Sequence, residues 1–321
     1  MYDILVGFSV NKEESIILQP NNGSVSKVIL ESLPRTIAGS SLNLVRVMDT
    51  LGSNKVKLVY TTGEDAHALD VMEALKNWGI DFSPLPVMIN TPRTIVVIPN
   101  NYKQTKLYCY KPEYIKSLIP SACEKTVEQV SLCQPQYLVA TGARTDDIAL
   151  VESLFSGSGK KVLNPSYEMV KNIDTVKCLK PDLLVINHEE VCMGLGKKKE
   201  KFNPEEDIRD LFEKVRPQEM LVTYNSKGAY YTYYKSEKSC TEYIPAIETI
   251  ETEVVDPTGA GDAFLGGYLH GLIRGLENFN ALRFASAVAA AKIKKMGGSN
   301  APTLNEVLSL LPKDFPTASL I

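Results

Sequence analysis

The 321-residue sequence contains no apolar run near the roughly 18 residues that a membrane-crossing helix needs, so no such helix is expected. Paired cysteine motifs are also missing. Cys109, Cys123, Cys133, Cys178, Cys192 and Cys240 show no Cys-x-x-Cys and no partnering His spacing, which excludes a zinc site and a disulfide framework. Their pattern suits a reducing cytoplasm. The opening Tyr2-Asp3-Ile4-Leu5-Val6 reads as a strand rather than the charged start of a signal peptide. There is no basic excess. A net charge of -3 argues against a nucleic-acid partner, and Lys197-Lys198-Lys199-Glu200-Lys201, the one basic cluster, reads as a solvated loop. No Gly-x-Gly-x-x-Gly follows the first strand, which counts against a nicotinamide-dependent dehydrogenase, and no Lys follows a glycine loop as a Walker sequence requires.

What the chain does have is concentrated at Asp256-Pro257-Thr258-Gly259-Ala260-Gly261-Asp262-Ala263-Phe264. The preceding Glu253-Val254-Val255 reads as the end of a strand. After the turn, Phe264, Leu265, Tyr268, Leu269, Leu272 and Ile273 recur at helical spacing. Gly259 and Gly261 carry no Cβ, so the backbone can approach a ligand closely. The first amides of a helix lack intrahelical acceptors and lie at the positive end of its dipole, a setting that suits phosphate. Asp262 in that first turn can cap the helix or act on whatever the turn binds.

The remaining pattern alternates. Ile4 to Gly7, Tyr137 to Ala140, Lys161 to Leu163, Leu183 to Ile186 and Leu221 to Thr223 read as strands. A Tyr-rich run, Tyr230 to Tyr234, follows them. Ala38 to Met48, Asp146 to Phe155, Asp207 to Val215 and Ala281 to Lys295 read as helices. That order implies a parallel sheet with helices on both faces, its ligands bound beyond the strands' carboxyl ends. Asn164, Asn187 and Thr223 stand at those ends. Two further stretches read as hairpins: Ile16 to Leu30 around Asn22-Gly23, and Arg93 to Tyr110 around Asn100-Asn101-Tyr102-Lys103. Together they predict a small sheet outside the main domain.

The Asp256-to-Asp262 run resembles the signature of the ribokinase-like, or PfkB, family of sugar and nucleoside kinases. The resemblance spans essentially the whole chain. It implies a three-layer α/β/α sandwich with a mainly parallel sheet, formed by residues 1–10, 36–90 and 113–321. A β-sheet lid would be inserted as 11–35 and 91–112. It further implies an ATP-dependent kinase with Mg²⁺, acting on a small hydroxyl acceptor. Asp262 would be the base, and the Gly259, Ala260, Gly261 and Asp262 amides the anion hole.

Ala38-Gly39-Ser40-Ser41-Leu42-Asn43 resembles the family's first signature, which places Gly39 and Asn43 at the substrate; read locally, Asn43 satisfies nearby backbone instead. Asn187-His188-Glu189-Glu190 resembles the segment whose Glu places Mg²⁺ through water, and the same residues make a capping box. His188 itself reads as an ordinary surface or core histidine. Thr223 to Ala229 resembles a nucleotide-side turn with Gly228, in which Asn225 replaces a glycine. Asn tolerates the left-handed backbone needed there. The turn after the Ala-rich helix, through Asn300, would wall the adenine pocket, and Asp256 would help hold a monovalent cation such as K⁺. Thr62-Gly63-Glu64-Asp65 and Trp78-Gly79-Ile80-Asp81 also match and read as structural.

Where an acidic substrate ligand is expected after the first strand, the chain offers Asn11 and Lys12, with Glu13 one step beyond. Lys12 and Arg93 would face an acidic acceptor or point to solvent. Sugars, polyols and nucleosides are not separated by these residues. The alternative is a catalytically silent relative that binds a ligand or partner through the same cleft. An exposed lid edge also suggests a homodimer through the lids.

Overall fold

The computed structural model describes residues 2–18, 30–32, 36–53, 55–99, 106–110, 112–249 and 253–320. Nine segments form the large sheet: β1 (Ile4–Phe8), β5 (Val56–Thr62), β6 (Asp81–Pro86), β9 (Tyr137–Ala143), β10 (Lys160–Pro165), β11 (Leu183–Asn187), β12 (Glu219–Thr223), β13 (Ala229–Lys235) and β14 (Lys238–Ile244). Their spatial order is β14-β13-β12-β11-β10-β9-β1-β5-β6. All neighbours are parallel except the β12–β13 and β13–β14 pairs at one edge.

Successive residues of a strand point to opposite faces, so a sheet covered on both sides must be apolar at every position. Ile4 and Val6 accordingly join one core, and Leu5 the other; Leu183 and Val185 separate in the same way from Leu184 and Ile186. The first core is closed by α1 (Ser40–Thr50), α2 (Ala66–Asn77), α9 (Ala260–Ile273), α10 (Asn278–Lys292) and α11 (Leu304–Leu308). The second is closed by α3 (Ile119–Cys133), α4 (Ile148–Leu154), α5 (Tyr167–Val170), α6 (Ile173–Cys178), α7 (His188–Gly194) and α8 (Pro204–Val215).

A smaller, five-stranded sheet contains β2 (Asn11–Leu18), β3 (Leu30–Ser32), β4 (Thr36–Ala38), β7 (Arg93–Pro99) and β8 (Lys106–Tyr110). The β2 and β7 strands run parallel, with Lys12 opposite Arg93, and this pairing joins the two inserted segments. β3 pairs with β2 through Leu30 to Ser32. The Asn22-Gly23 turn, residues 25–29 and the second turn at 100–103 lie outside the described residues.

Three expectations need correction. Glu253-Val254-Val255 is not a strand. The Val255 and Asp256 amides both donate to the Ile293 carbonyl, at 2.8 and 3.0 Å, so the segment docks on the end of α10 instead of the sheet. The Ala-rich helix closes at Lys292 rather than continuing to Lys295, and the expected Asp146 helix begins with a 3₁₀ turn, Thr145–Asp147, before α4. Asp65 is structural, as expected: it caps α2 by accepting from the Ala68 amide at 2.9 Å and also holds Thr91.

Candidate active site

From β1 the chain steps to β5 and β6 on one side, then returns to β9, β10, β11 and β12 on the other. The reversal lies between β1 and β9, and open α/β sheets bind ligands at such a point. A cleft of about 480 Å³ lies there, lined by Thr61, Gly142, Asn164, Asn187 and Thr223 from the strand ends. Asn11, Glu13, Arg93 and Thr94 of the small sheet enclose it, and Gly259, Ala260, Gly261 and Asp262 enter from the first helix layer.

Gly259 is the N-cap of α9 with φ 80°. A Cβ there would stand 2.8 Å from the Gly298 carbonyl, so both backbone conformation and packing require glycine. A Cβ on Gly261 would meet nothing within 4 Å; the space it leaves belongs to the cleft. The Ala260 amide donates to the Pro257 carbonyl at 3.1 Å and is therefore spent. That removes the Ala260 amide from the expected anion hole and leaves the Gly261 and Asp262 amides, in the first turn, without an intrahelical acceptor.

Asp262 is partly buried beside this pair. Loss of hydration pushes its pKa up to about 6, against hydrogen bonds from Asn43 and Ser40 and the charge of Lys292. Asn43 Nδ2 donates to Asp262 Oδ2 at 2.7 Å, so its amide group holds the carboxylate. Asn43 Oδ1, like Asn11 Oδ1, is buried without a partner. Gly39 carries α1 to this point: with φ 113°, its Cβ would stand 2.6 Å from the Ser9 carbonyl. Ser41 then ties β1 to β9, accepting from the Ser9 amide at 2.8 Å and donating to the Thr141 carbonyl at 3.2 Å.

Of the residues after β1, Glu13 is the acid that lines the cleft, and its Oε1 accepts from the Gly298 amide at 3.4 Å. Asn11 and Glu13 stand two apart on β2 and both face the cleft, whereas Lys12 faces away and pairs with Asp70 of α2. Arg93 does line the cleft, with its guanidinium 5.1 Å from the Tyr110 ring centroid. Arg144 and Asp147 were not anticipated. They also line it, joined by a 3.6 Å ion pair and by Tyr114, which accepts from Arg144 at 3.1 Å.

On the other side, Asn164 spends both ends of its amide on the sheet. Its Oδ1 accepts from Thr141 at 2.8 Å and its Nδ2 donates to the Val185 carbonyl at 2.8 Å. Asn187 and Glu190 form the capping box of α7, with bonds of 2.9 and 2.8 Å. Burial, opposed by the Asn187 amide and reinforced by Glu189 and Asp262, pushes Glu190 up to about 7. A dication in the cleft would favour its ionised form. The described residues contain no group of three or more His, Cys, Asp or Glu side chains able to hold a metal. A single carboxylate facing the cleft is enough for Mg²⁺, which keeps several waters and needs few protein carboxylates.

Other expected residues are elsewhere. Gly228 is not at the cleft: its φ is 90°, and a Cβ would stand 2.2 Å from the Ile244 carbonyl, so its glycine serves the β13–β14 edge. Asn300 is exposed at the end of the turn after α10 and does not line the cleft. Asn225 adopts φ 48°, the left-handed conformation expected of it. His188 is buried in an aromatic cluster with Phe202 and Tyr224. Asp256 is buried behind the turn, its oxygens accepting from the Thr258 and Gly297 amides, each at 2.9 Å. Burial pushes the pKa of Lys292 down, and the Asp256 charge opposes that shift.

A family model for pfkB family carbohydrate kinases matches residues 13–304. The chain belongs to this family. It is thus a phosphotransferase with an alcohol group as acceptor, and its sheet order is that of a ribokinase-like fold. Among its relatives is a nucleoside kinase of Methanothermobacter thermautotrophicus, 25% identical over 280 residues that cover 84% of this chain and 82% of that one. A 5-dehydro-2-deoxygluconokinase of Shouchella clausii is 25% identical over 307 residues, covering 87% of each. Phosphofructokinase-2 of Escherichia coli, solved in complex with potassium, superposes with a TM-score of 0.76 at 13% identity, covering 96% of this chain and 97% of that one. No helix among the described residues is long and apolar enough to cross a membrane.

Proposed function

We propose that the chain transfers the γ-phosphoryl group of ATP to a hydroxyl of a small sugar, polyol or nucleoside, with Asp262 as general base. The observation that carries this reading is the pairing of Asp262, held by Asn43, with the Gly261 and Asp262 amides at the start of α9. Phosphoryl transfer is largely positioning and electrostatics. The turn amides meet charge on the transferred group, and Asp262 takes the proton of the attacking hydroxyl. With its pKa near 6 the carboxylate is mostly ionised at neutral pH and still basic enough to accept that proton. The unpartnered Asn11 Oδ1 and Asn43 Oδ1 are acceptors that hydroxyl donors of the substrate would satisfy.

On the nucleotide side, Asn187 and Thr223 face the phosphates, and Asn164 fixes the strand ends that carry them. Glu190 would hold Mg²⁺ through water, and the ion would offset phosphate charge. A second cleft of about 400 Å³, between Pro245 to Ile247 and the α10 residues Arg283 and Ser286, suits the nucleobase. The small sheet of β2, β3, β4, β7 and β8 acts as a lid that excludes water, because ATP hydrolysis is the competing reaction. Ile95 and Tyr110 are exposed on it, which favours a homodimer through the lids; light scattering that returns the monomer mass would remove that part.

ADP production across sugars, sugar phosphates, polyols and nucleosides, with Mg²⁺ and K⁺, tests the whole reading beside an Asp262→Asn control. Turnover with one acceptor, lost in the control, names the substrate class. Bound ATP with no turnover on any acceptor would instead favour a silent binding protein.

A further inference from the structure

Arg144 follows β9 at the point where the strand order reverses, and it lines the cleft with a side chain only 12% exposed. Its guanidinium lies over the Tyr114 ring, 5.3 Å from the centroid, and its Nη2 donates to the Tyr114 hydroxyl at 3.1 Å. Asp147 orients it without using its donors. The Asp147 Oδ2 accepts from the Arg144 amide at 2.7 Å, and Oδ1 accepts from Tyr114. The ion pair through Nε is 3.6 Å long, beyond hydrogen-bond reach. A guanidinium carries five N–H donors, and among the described residues this one makes a single hydrogen bond, to Tyr114. Ser166 stands beside it, because its amide donates to the Ala143 carbonyl at 2.7 Å. The Ser166 hydroxyl is buried without a partner, also at the cleft, and does not cap α5 although it stands at the N-cap. Enclosed donors in native structures have acceptors, so these call for one that the chain does not supply.

We infer that Arg144 and Ser166 form a subsite for an anionic group on the phosphoryl acceptor, a carboxylate or a phosphate, apart from the hydroxyl that Asp262 serves. The inference rests on the kinase reading and narrows its substrate class. A planar fork of N–H donors matches two oxygens of either anion, whereas a neutral hydroxyl takes one bond and leaves the rest unspent. The fold favours the acceptor over ATP as the occupant. β9 borders β1, from which the chain passes directly into the lid, and Tyr114 follows the lid strand β8. Asn187 and Thr223 end β11 and β12, which lie beyond β10 on the far side of β9.

The test measures ADP production by the full chain on matched pairs of acceptors: alditols beside their aldonates, and free sugars beside their monophosphates. The wild type is expected to favour the anionic member about tenfold or more in kcat/KM, and the kind of pair that shows it separates carboxylate from phosphate. Arg144→Gln should raise KM for that acceptor about ten- to a hundredfold, and KM for ATP by less than about twofold. Ser166→Ala should raise the acceptor KM by a smaller factor. Arg144→Lys keeps a charge beside Asp147 but not the fork, and should recover part of what Arg144→Gln loses. Equal use of both members by the wild type, or preference for the neutral one, overturns the inference whether or not any variant folds. So does a rise in KM for ATP in place of the acceptor's, or an anion preference that both Arg144 variants keep. If no acceptor turns over, the kinase reading falls and melting decides the subsite: the anionic member alone should raise the wild-type melting temperature, and equal shifts or none overturn it.

Discussion

Replacing Asp262 by Asn should abolish phosphoryl transfer and stabilise the protein, and both outcomes come from the same burial. The folded-state pKa is raised from the ordinary 3.8 to about 6, so the folded protein binds this proton more tightly than the unfolded chain does. The sign follows. Below pH about 4 the carboxyl is protonated in both states and carries no penalty. Between about pH 4 and 6 the unfolded chain ionises first, and stability falls as pH rises. Above about 6 the full cost is present.

At about 1.36 kcal/mol per pKa unit the ceiling is about 3 kcal/mol. Access of the cleft to solvent reduces it, and a gain on the order of 1–3 kcal/mol at pH 8 is expected. With an unfolding entropy of about 2.1 cal/mol/K per residue over 321 residues, this corresponds to roughly 1.5–4.5 °C in melting temperature. The amide nearly matches the carboxylate in shape, and its oxygen can still accept from Asn43. Melting curves at pH 4 and pH 8, beside ADP assays, read both effects. The reasoning is refuted if Asp262→Asn is no more stable at pH 8, or if its gain is the same at pH 4. Retained turnover would separately remove Asp262 as the base.

Gly261→Ala should fold with unchanged or slightly higher stability, by up to about 1 kcal/mol, because an alanine in a helix restricts the unfolded chain and nothing crowds its Cβ. Its kcat should nevertheless drop, since the methyl group enters the phosphate-facing space; urea melts with parallel kinetics check both halves. Asn43→Ala removes a donor that lowers the Asp262 pKa, so the acidic limb of the kcat/KM profile should move to higher pH, with kcat down roughly ten- to a hundredfold. His270, buried against Phe284 and 2.7 Å from Ser53 Oγ, is depressed from 6.5 to about 4 by loss of hydration. Its sign is opposite to that of Asp262: the unfolded chain takes up the proton first, so stability falls as pH drops from 6.5 towards 4, by up to about 3 kcal/mol. Unfolding of His270→Gln followed across that window should show a shallower slope.

The parts of the fold that were legible in the sequence are those set by local pattern. Strand and helix periods place most of the large sheet, and Gly259 to Asp262 announces its own turn because glycines, helix start and acid are contiguous. Asn225 was readable for the same reason, since left-handed backbone is a property of one residue. What escaped depends on side chains that meet across the chain. Glu13 could have been recovered from strand alternation with Asn11, because residues two apart on β2 share a face. Its contact with Gly298, 285 residues later, leaves no local trace. Asn43 behaves similarly: its bond to Asp262 spans 219 residues and makes it a holder of that carboxylate, a role that the helix-start pattern does not suggest.

The error at Val254-Val255 is of a different kind. A β-branched pair ahead of a glycine turn has the composition of a strand end, but its amides are satisfied by the Ile293 carbonyl. Propensity reports what a backbone tolerates, while tertiary contact decides which partner it finds. That docking has a functional consequence. Because the turn hangs from α10 and not from the sheet, its position depends on residues 292–298, where Lys292 and Gly298 lie. The site thus draws on two sets of elements, strand ends on one side and the α9–α10 pair on the other. Substitutions at their seam should disturb turnover more than their small cost in stability would suggest.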